Sequence, residues 1–393
     1  MKQVNLKQQA VKKLKNGYPL VKEQDLAIPI TQSEQDQLVQ FCSNKNEIIG
    51  TGYLSAQNKG IGWVFNAPKF QWTKHELARL FQSAFHKRSA YFHDEGTTAF
   101  RLFNGEGDGL GGVTIDFYAG FLVVSWYNQF VYQEKAQLLA AIGLTDLKIE
   151  GIYEKIRFPH DTKLATEHVC GKEAPEPLVI YENGVAFATY LNEGWMTGIF
   201  LDQKEVRGKL VNGFLAGKTL LNTFSYTGAF SVAAAMGGAL GTTSVDLAKR
   251  SLEKTKEQFS VNQLPLDNHD IIVMDVFNYF RYAKKKGKSF DCVLLDPPSF
   301  ARSKKHTFSV AKNYGELVGE VEPLIAREGY LIASTNAANV SESKFKKMIE
   351  EALKSKQRVY RLVEHFQLPA DFKVASSFPE GNYLKVFLYK LDD

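Results

Sequence analysis

The chain has 393 residues, of which 44% are hydrophobic and 23% charged, and its formal net charge is +5. This length suits two or three soluble domains, and the mildly basic balance permits a polyanionic partner without requiring one. No apolar run reaches the roughly 20 residues of a membrane span, and the residues after Met1 do not form the apolar segment of a secretory signal, so we expect a cytoplasmic protein without a membrane partner. Its three cysteines, Cys42, Cys170 and Cys292, form no Cys-x-x-Cys pair, so we expect neither a disulfide framework nor a metal site.

Residues 1–68 are predicted to form a small β-barrel of short strands and turns. Ile48–Leu54 and Gly62–Phe65 have the pattern of strand pieces separated by glycine turns. A basic stretch precedes them and ends at Tyr18, and lysines beside an aromatic ring suit phosphate contacts and base stacking in RNA. Its candidate RNA-binding residues are Lys12, Lys13 and Lys15. A solvated basic turn explains the same residues, so both interpretations stay open.

Residues 69–177 are predicted to form an α+β domain. Thr73–Arg88 carries an apolar stripe at helical spacing and a basic opposite side. The basic residues of that side are Lys74, Arg79, His86, Lys87 and Arg88. Gly105–Gly112 lacks the Gly-Lys-Ser/Thr ending of a phosphate-binding loop and precedes a strand, so we predict a wide turn. The other expected elements are strands at Ala99–Phe103, Val113–Tyr118 and Phe121–Tyr127 and a helix at Glu134–Ile142.

Residues 178–393 are predicted to form an α/β, Rossmann-like domain that begins with a hairpin linker, 178–198. Asn183-Gly184 is a strong two-residue hairpin signal, and a helix is expected from Phe200 to Val211. Strands are expected at Thr219–Thr223, Gly241–Asp246, Asp270–Met274, Phe290–Asp296, Gly329–Ser334, Val359–His365 and Tyr383–Leu391. Helices are expected at Ala229–Met236, Ala248–Asn262, Val276–Lys286, Tyr314–Ile325 and Ser341–Lys354. The last two strands leave no room for a crossover helix, so the seventh should run antiparallel.

Polar residues stand at the carboxyl ends of four successive predicted strands, at Asn222, Asp246, Asp275 and Asp296. Loops at such strand ends form the ligand crevice of an open α/β sheet. Asn222–Gly228 lacks the glycines that a nicotinamide-dependent oxidoreductase would need, whereas its polar groups suit the methionine end of S-adenosylmethionine (SAM). Asp246 could accept from ribose hydroxyls and Asp275 from an adenine amino group, although each could instead cap a helix. The series as a whole predicts a SAM site.

The segment Asp296-Pro297-Pro298-Ser299-Phe300 is the most specific motif. Two prolines fix the backbone and remove two N–H donors, which leaves a rigid loop whose carbonyl groups can accept from a nucleobase. Phe300 offers a face on which an unstacked base could lie. We therefore predict Asp296, Pro297, Pro298 and Phe300 as catalytic residues, against the alternative of a structural Pro-Pro turn.

Several motifs together resemble the large-subunit rRNA base methyltransferases, which include 5-methylcytosine enzymes with an N-terminal PUA domain and related guanine methyltransferases. The motifs are Phe200-Leu-Asp-Gln-(x)3-Arg207, Asn222-x-Phe-Ser-Tyr-Thr-Gly228, Val245-Asp246, Leu295-Asp-Pro-Pro-x-Phe300 and Glu380-Gly-x-Tyr-Leu-Lys385. The stretch Arg101–Gly112 resembles part of the middle domain of the PUA-bearing group. The resemblance implies a PUA-like domain, an α/β middle domain, a class I methyltransferase domain and an RNA substrate. In such relatives Arg207 supports the loop that contacts SAM. The implied cofactor-binding set is Phe200, Asp202, Gln203, Asn222, Phe224, Ser225, Tyr226, Thr227, Gly228, Asp246, Leu247, Asp275 and Val276.

One position departs from the 5-methylcytosine relatives. Transfer to cytosine C5 needs a thiolate that adds to C6, and those relatives carry it in a Ser-Cys-Ser-like turn after the fifth strand. This chain has Ser334-Thr-Asn336 there, closer to the Ser-Asn-Asn of the guanine enzymes, and Cys292 is expected to be a buried core thiol. We therefore predict nitrogen methylation of 23S rRNA, with guanine as the favoured base. A 5-methylcytosine enzyme and a non-catalytic RNA-binding protein with a vestigial SAM pocket are the alternatives.

Three further residues could contact RNA beside the base, in the basic loop after Phe300. They are Arg302, Lys304 and Lys305, and a solvated charge run explains them equally well. The family resemblance alone suggests that Asp371 and Lys385 lie at the rim of the site. The sequence leaves a homodimer open.

Overall fold

The structure, a computed structural model, describes residues 1–57, 60–65, 70–159, 166–302 and 307–392. The chain folds into two compact units. The first consists of Met1–Leu178, Tyr190–Thr197 and Ala370–Gly381, and the second of Val179–Thr189, Gly198–Pro369 and Asn382–Asp393. Within the described ranges, no helix is both long and apolar enough to cross a bilayer.

The first unit begins with a five-stranded sheet of order β1-β3-β4-β5-β2. Its elements are β1 (Lys2–Asn5), α1 (Gln8–Lys15), β2 (Leu20–Val21), β3 (Gln37–Cys42), β4 (Ile48–Gln57) and β5 (Gly60–Val64). The two strand pieces expected at residues 48–54 and 62–65 are confirmed. The expectation of only strands and turns was wrong at Lys12–Lys15, which lie in α1. Ala10 and Leu14 are four residues apart and buried, so one face of this short helix packs while its lysines stay in solvent.

A second five-stranded sheet follows, with order β10-β9-β8-β7-β6. Its elements are α2 (Lys74–His86), β6 (Ala99–Asn104), β7 (Val113–Tyr118), β8 (Phe121–Trp126), α3 (Gln129–Gln133), α4 (Lys135–Ile142), β9 (Gly151–Ile156) and β10 (Thr166–Gly171). Strands β8 and β9 pair in parallel and the other neighbours antiparallel. One hydrophobic cluster joins Trp63 of the first sheet to Phe81 of α2 and Phe103 of β6.

Arg88 does not belong to the solvent-exposed basic side predicted for the helix at residues 73–88. It is 1% exposed, and its two terminal nitrogens donate to the Asp108 carboxylate at 2.8 and 2.7 Å. Asp108 lies in the glycine-rich turn, so this buried pair anchors the turn between β6 and β7. A charged residue next to a helix does not reveal its distant partner in the sequence, which is why the prediction failed here.

The second unit opens within a hairpin of β11 (Leu178–Glu182) and β12 (Val185–Thr189), of which only Leu178 belongs to the first unit. Asn183 and Gly184 form the predicted two-residue turn, with φ of 51° and 77°. Asparagine and glycine tolerate these positive values better than other residues, and such turns match the twist of paired strands.

A seven-stranded sheet of order β15-β14-β13-β16-β19-β21-β20 forms the body of the second unit. Its elements are α5 (Lys204–Lys209), β13 (Thr219–Thr223), α6 (Ala229–Met236), β14 (Gly241–Asp246), α7 (Arg250–Ser260), β15 (His269–Val273), α8 (Val276–Lys285), β16 (Phe290–Leu295), β17 (Phe300–Arg302), β18 (Thr307–Ser309), α9 (Val310–Val321), β19 (Ile325–Thr335), α10 (Glu342–Ser355), β20 (Tyr360–Phe366) and β21 (Lys385–Leu391). The five strands β15, β14, β13, β16 and β19 are parallel. The seventh strand, β21, is antiparallel to both neighbours, as predicted.

Side chains of β16 alternate between two cores. Val293 and Leu295 face the cluster that contains α8, α9 and α10, whereas Cys292 and Leu294 face the cluster that contains α5 and α6. A strand that is buried on both faces is apolar at every position, which explains the unbroken Cys-Val-Leu-Leu run. Helices therefore cover both faces of the sheet, so a ligand must approach it at the ends of its strands.

The short hairpin β17–β18 was not predicted, because the sequence suggested a plain loop after Phe300. Phe300 pairs with Ser309, and Ala301 pairs with Phe308. Phe308 is 4% exposed and belongs to the core of the second unit. This single buried aromatic residue fixes the returning strand, and α9 then begins at Val310, four residues earlier than expected.

Candidate active site

The sheet order brings four strand ends together. Strands β15, β14, β13 and β16 are neighbours and run in the same direction, so their carboxyl ends share one edge. Asn222 and Asp246 lie within the last two residues of their strands, while Asp275 and Asp296 follow β15 and β16. The topology therefore gathers the four predicted polar residues at one rim.

The loop after β13 is strained and held by Asp246. Phe224 and Tyr226 have positive φ of 54° and 52°, a conformation that costs a residue with a side chain about 1 kcal/mol or more. One oxygen of Asp246 accepts from Tyr226 N–H at 2.8 Å and the other from Ala248 N–H at 2.9 Å. Such strain persists only where surrounding contacts enforce it, and it is concentrated at functional sites.

Gly228 closes this loop with φ of 76°. A Cβ at this position would lie 2.5 Å from Thr255 Cγ2, so the residue is needed for close packing of α6 against α7. Thr227, one residue earlier, donates from Oγ1 to Gly198 O at 2.7 Å. The single glycine of the motif thus serves helix packing, and the backbone at this point carries no glycine-rich cradle for a pyrophosphate.

Two buried amide oxygens lack a donor among the described residues. Asn222 donates from Nδ2 to Ser231 Oγ at 3.0 Å, but its Oδ1 accepts nothing. Gln203 donates from Nε2 to Ser334 Oγ at 2.8 Å, and its Oε1 likewise has no donor. An unsatisfied buried acceptor costs about 1–3 kcal/mol, which an ammonium or hydroxyl donor from a ligand would recover. These two atoms fit a ligand that carries an amino-acid end.

Asp296 lies next to Gln203 and is half-buried. Gln203 Nε2 is 3.3 Å from each of its carboxylate oxygens. Burial raises the pKa of the Asp296 carboxyl to about 6, the Asp202 charge adds to this rise, and hydrogen bonds from Ser334 and Gln203 oppose it. The carboxylate is therefore a stronger base than an ordinary aspartate, yet still largely ionised at pH 7.

The segment after Asp296 is fixed from two sides. Pro297 is buried, whereas Pro298 is exposed and Phe300 is 61% exposed. Ser299 Oγ donates to Asn336 Oδ1 at 2.9 Å, which ties the segment to the turn after β19. An exposed aromatic ring on a tethered, proline-stiffened loop offers a flat apolar surface to a planar ligand.

A buried ion pair supports the segment that contains Phe200 and Gln203. Arg207 donates from Nε and Nη2 to the Glu182 carboxylate at 2.6 and 2.8 Å, and from Nη2 to Phe200 O at 2.7 Å. Both side chains of the pair are at most 2% exposed. Glu182 was missed in the sequence, because a lone glutamate before a hairpin turn gives no sign that it is buried.

Tyr383 and Lys385 connect the last strand to this rim. Tyr383 donates from its hydroxyl to Asp202 at 2.8 Å, and Lys385 donates from Nζ to Ala337 O at 3.1 Å. Burial lowers the pKa of the Lys385 ammonium. Asp371 lies in the first unit, where it accepts from Arg101 N–H at 2.8 Å.

The basic residues predicted to contact RNA differ in whether they are paired with a carboxylate. Lys13 and Lys15 lie 4.0 and 2.9 Å from Asp25 and Glu47, so these two lysines are paired. Lys12 is exposed on α1. Arg302 ends β17, while Lys304 and Lys305 lie outside the described residues. Leu247 is exposed beside Asp246, and Val276 is a buried first residue of α8.

Asp296 should destabilise the protein at neutral pH. Its folded pKa of about 6 exceeds the ordinary value of 3.8, so the folded chain binds the proton more tightly and loses stability as the pH rises from about 4 to 6. We expect Asp296→Asn to raise the free energy of unfolding by about 1–3 kcal/mol at pH 8, and by almost nothing at pH 4. Urea denaturation of both proteins at the two pH values measures this. A less stable variant at pH 8 would show that the carboxylate is favourably solvated.

Two family models match this chain. One, described as S-adenosylmethionine-dependent methyltransferase, matches residues 101–389, and the other, a PUA-like domain, matches residues 4–66. Among the described residues, no group of three or more His, Cys, Asp or Glu is arranged to hold a metal ion.

Relatives match over nearly the whole chain. A Bacillus subtilis protein named "Putative ribosomal RNA large subunit methyltransferase YwbD" is 49% identical over 99% of each chain. The "Ribosomal RNA large subunit methyltransferase I" of Aeromonas salmonicida is 32% identical over 84% of each chain. A crystal structure described as "a putative methyltransferase complexed with SAH" is 46% identical, covers 99% of this chain and 100% of its own, and has a TM-score of 0.93.

Proposed function

Since this chain belongs to the family of S-adenosylmethionine-dependent methyltransferases, we propose that it methylates a base of large-subunit ribosomal RNA at a nitrogen atom, with guanine as the favoured base. The observation that carries the proposal is the position of the Asp296 carboxylate, of raised pKa, beside the strand-end residues of the cofactor site. The named relatives support rRNA as the substrate, and the PUA-like match at residues 4–66 supports an RNA partner. With such a substrate, we propose a cytoplasmic location for the enzyme.

The cofactor would occupy the rim formed by β13, β14 and β15. Asn222 Oδ1 and Gln203 Oε1 would accept from its ammonium group, and Asp246 would accept from its ribose hydroxyls. Phe200 and Tyr226, whose ring centroids are 5.5 Å apart, would border it. When bound, SAM supplies a methyl group on a sulfonium sulfur and leaves as SAH. The chain's own task is to orient the acceptor base in line with that methyl group.

Asp275 offers a test of the adenine end of the cofactor site. Its Oδ1 accepts from Asn278 N–H at 3.1 Å and caps α8, which leaves Oδ2 to accept from a ligand. We expect Asp275→Ser to keep the cap, because serine is an equally good N-cap, and to weaken SAM binding roughly tenfold through the lost charged acceptor. Calorimetric titration of the variant with SAM measures its affinity, and thermal melting tests whether the helix cap is kept. A lower melting temperature with unchanged SAM affinity would leave Asp275 as a cap alone.

The acceptor base would lie on the exposed Phe300 ring with its edge toward Asp296. Guanine presents adjacent N–H donors on this edge, and a carboxylate can accept from both of them. The nitrogen must lose a proton when it gains a methyl group, and a carboxylate with pKa about 6 can take that proton near neutral pH. Cytosine has a single amino donor beside a ring acceptor, so it matches an ionised carboxylate less well.

Carbon methylation lacks a nucleophile at this site. Cys292 is the sole cysteine in the sequence of the second unit, and it is 0% exposed in the sheet core, where burial raises the pKa of its thiol. A buried apolar thiol of this kind is inert. The turn that carries the thiol in 5-methylcytosine relatives contains Ser334 and Thr335 here, both nearly fully buried. Nitrogen needs no covalent help, since it has its own lone pair.

The functional division of the chain is part of the proposal. We assign residues 1–68 to a PUA-like RNA-binding domain, 69–177 to a middle domain and 178–393 to the methyltransferase domain. The PUA-like match at residues 4–66 supports the first assignment. The methyltransferase match at residues 101–389 covers most of the middle domain as well as the last one.

The experiment that tests the proposed function is mass spectrometry of large-subunit rRNA nucleosides from cells with and without the gene. We expect one methylated guanosine to disappear without the gene and to return when the gene is restored. Loss of 5-methylcytidine instead would show that the protein methylates carbon 5 of a cytosine. An unchanged set of methylated nucleosides would overturn the proposed substrate.

A further inference from the structure

Tyr190–Thr197, here called the Trp195 loop, is closed on itself in the first unit. Tyr190 N–H donates to Thr197 O at 2.8 Å, which joins its two ends. The hydroxyl groups of Tyr118 and Thr197 are 2.9 Å apart, so the closed end is also tied to β7. The loop therefore has a fixed base from which its central residues project.

A buried lysine holds the centre of the loop. Lys155 on β9 is 0% exposed, and its Nζ donates to Leu191 O at 3.1 Å and to Gly194 O at 2.6 Å. Thr166 adds a hydrogen bond from Oγ1 to Leu191 O at 3.3 Å. Because an ammonium group loses its hydration when buried, the pKa of Lys155 falls to about 7. An apolar side chain would avoid this cost, so stability alone does not account for a lysine here.

The same loop presents a large aromatic ring to solvent. Trp195 is 59% exposed, whereas Trp63 and Trp126 are at most 1% exposed. Met196 beside it is also exposed. A tryptophan in water contributes little to folding, yet its ring is the best stacking surface among the side chains. Two features that each work against stability, a buried charge and an exposed tryptophan, thus occur in one eight-residue loop.

We propose that the Trp195 ring is a stacking platform for an unpaired base of the RNA substrate, and that Lys155 is the positioning residue that holds this platform rigid. Base–aromatic stacking tolerates any base, because every base has a π-face. A loop that is already ordered loses little conformational entropy when it binds, so a clamped platform binds more tightly than a mobile one. The inference rests on the proposed function only in taking RNA as the substrate.

The direct test is the fluorescence of Trp195 in the full-length protein. Acrylamide quenching is measured with and without deproteinised large-subunit rRNA, for the wild type and for Trp195→Phe. We expect RNA to protect a quenchable tryptophan in the wild type. We expect this change to be absent in Trp195→Phe, because Trp63 and Trp126 are buried and the half-buried Trp72 packs against Phe65 and Phe130. Quenching that RNA leaves unchanged in the wild type would overturn the platform.

Binding and kinetics separate stacking from a structural role. We expect Trp195→Ala to weaken rRNA binding roughly five- to hundredfold and to raise the KM for RNA, with SAM affinity unchanged. Trp195→Phe, which keeps a ring, should stay close to the wild type. Lys155→Met should raise the KM for RNA about threefold or more and leave Trp195 quenchable in the presence of RNA. Equal RNA affinity in wild type and Trp195→Ala would contradict the inference.

These outcomes are distinguishable from failure of the proposed function, since binding and quenching need no methyl transfer. Protection of Trp195 by RNA without any methylated product would retain the platform and reject the rRNA methylation. Methylation of rRNA by Trp195→Ala with an unchanged KM for RNA would retain the rRNA methylation and reject the platform.

Discussion

Replacing Asp296 with alanine is expected to slow methyl transfer by about 10²–10⁴-fold, the usual contribution of a positioned general base. The carboxylate accepts from Gln203 and lies at the end of β16, where burial raises its pKa to about 6. Alanine would remove both the proposed proton acceptor and the contact proposed to orient the base. The rate constant is measured as transfer of a labelled methyl group from SAM to deproteinised rRNA under saturating substrate.

Asp267→Ala is the matched control for this variant. Asp267 is an exposed carboxylate in the turn before β15, within the same unit. We expect it to keep the wild-type rate. Asp296→Ala should also keep its SAM affinity within a fewfold and melt no lower than the wild type. If Asp296→Ala transfers methyl groups at the wild-type rate, the carboxylate has no part in the reaction.

Replacing Arg207 with methionine should cause the largest loss of stability, about 3–5 kcal/mol in the free energy of unfolding. The substitution leaves the Glu182 carboxylate buried without its bidentate partner and leaves Phe200 O without a donor. Chemical denaturation of the apo protein measures the change. SAM binding should weaken as well, because the segment from Phe200 to Gln203 loses its support.

The double variant Arg207→Met with Glu182→Leu provides the control. Removing both charges restores an apolar fit, so the double variant should be more stable than Arg207→Met alone by about 2 kcal/mol or more. Additive losses from the two substitutions would show that the residues do not act as a pair. A loss below about 1 kcal/mol for Arg207→Met would show that the pair is accessible to water.

The sequence predicted the central sheet well because its strands carry strong local signals. The β16 run Cys292–Leu295 is apolar on both faces and is followed closely by two prolines, and β13, β14 and α6 have the predicted bounds. The antiparallel direction of β21 followed from loop length alone. By contrast, α1 and the β17–β18 hairpin depend on the burial of Leu14 and Phe308 by distant parts of the chain, which no local pattern announces.

The candidate site was predictable where residues follow strand ends and unpredictable where they pair across the sequence. Asn222, Asp246 and Asp296 were found because parallel strands end at one edge. The contacts of Arg207 with Glu182 and of Gln203 with Ser334 join residues 25 and 131 positions apart. Such contacts arise only after folding, so Arg207 and Gln203 could be predicted as site residues only through the family resemblance.

The measurement that tests the account most directly is calorimetric titration of the full-length protein with SAM, compared between the wild type and Asp246→Ala. In the wild type we expect one site per chain. Loss of Asp246 frees the Tyr226 and Ala248 amides and removes the proposed ribose acceptor, so the affinity for SAM should fall roughly tenfold or more. Asp267→Ala should bind as the wild type does. No heat of binding in the wild type, or equal affinity in Asp246→Ala, would contradict a SAM site at these strand ends.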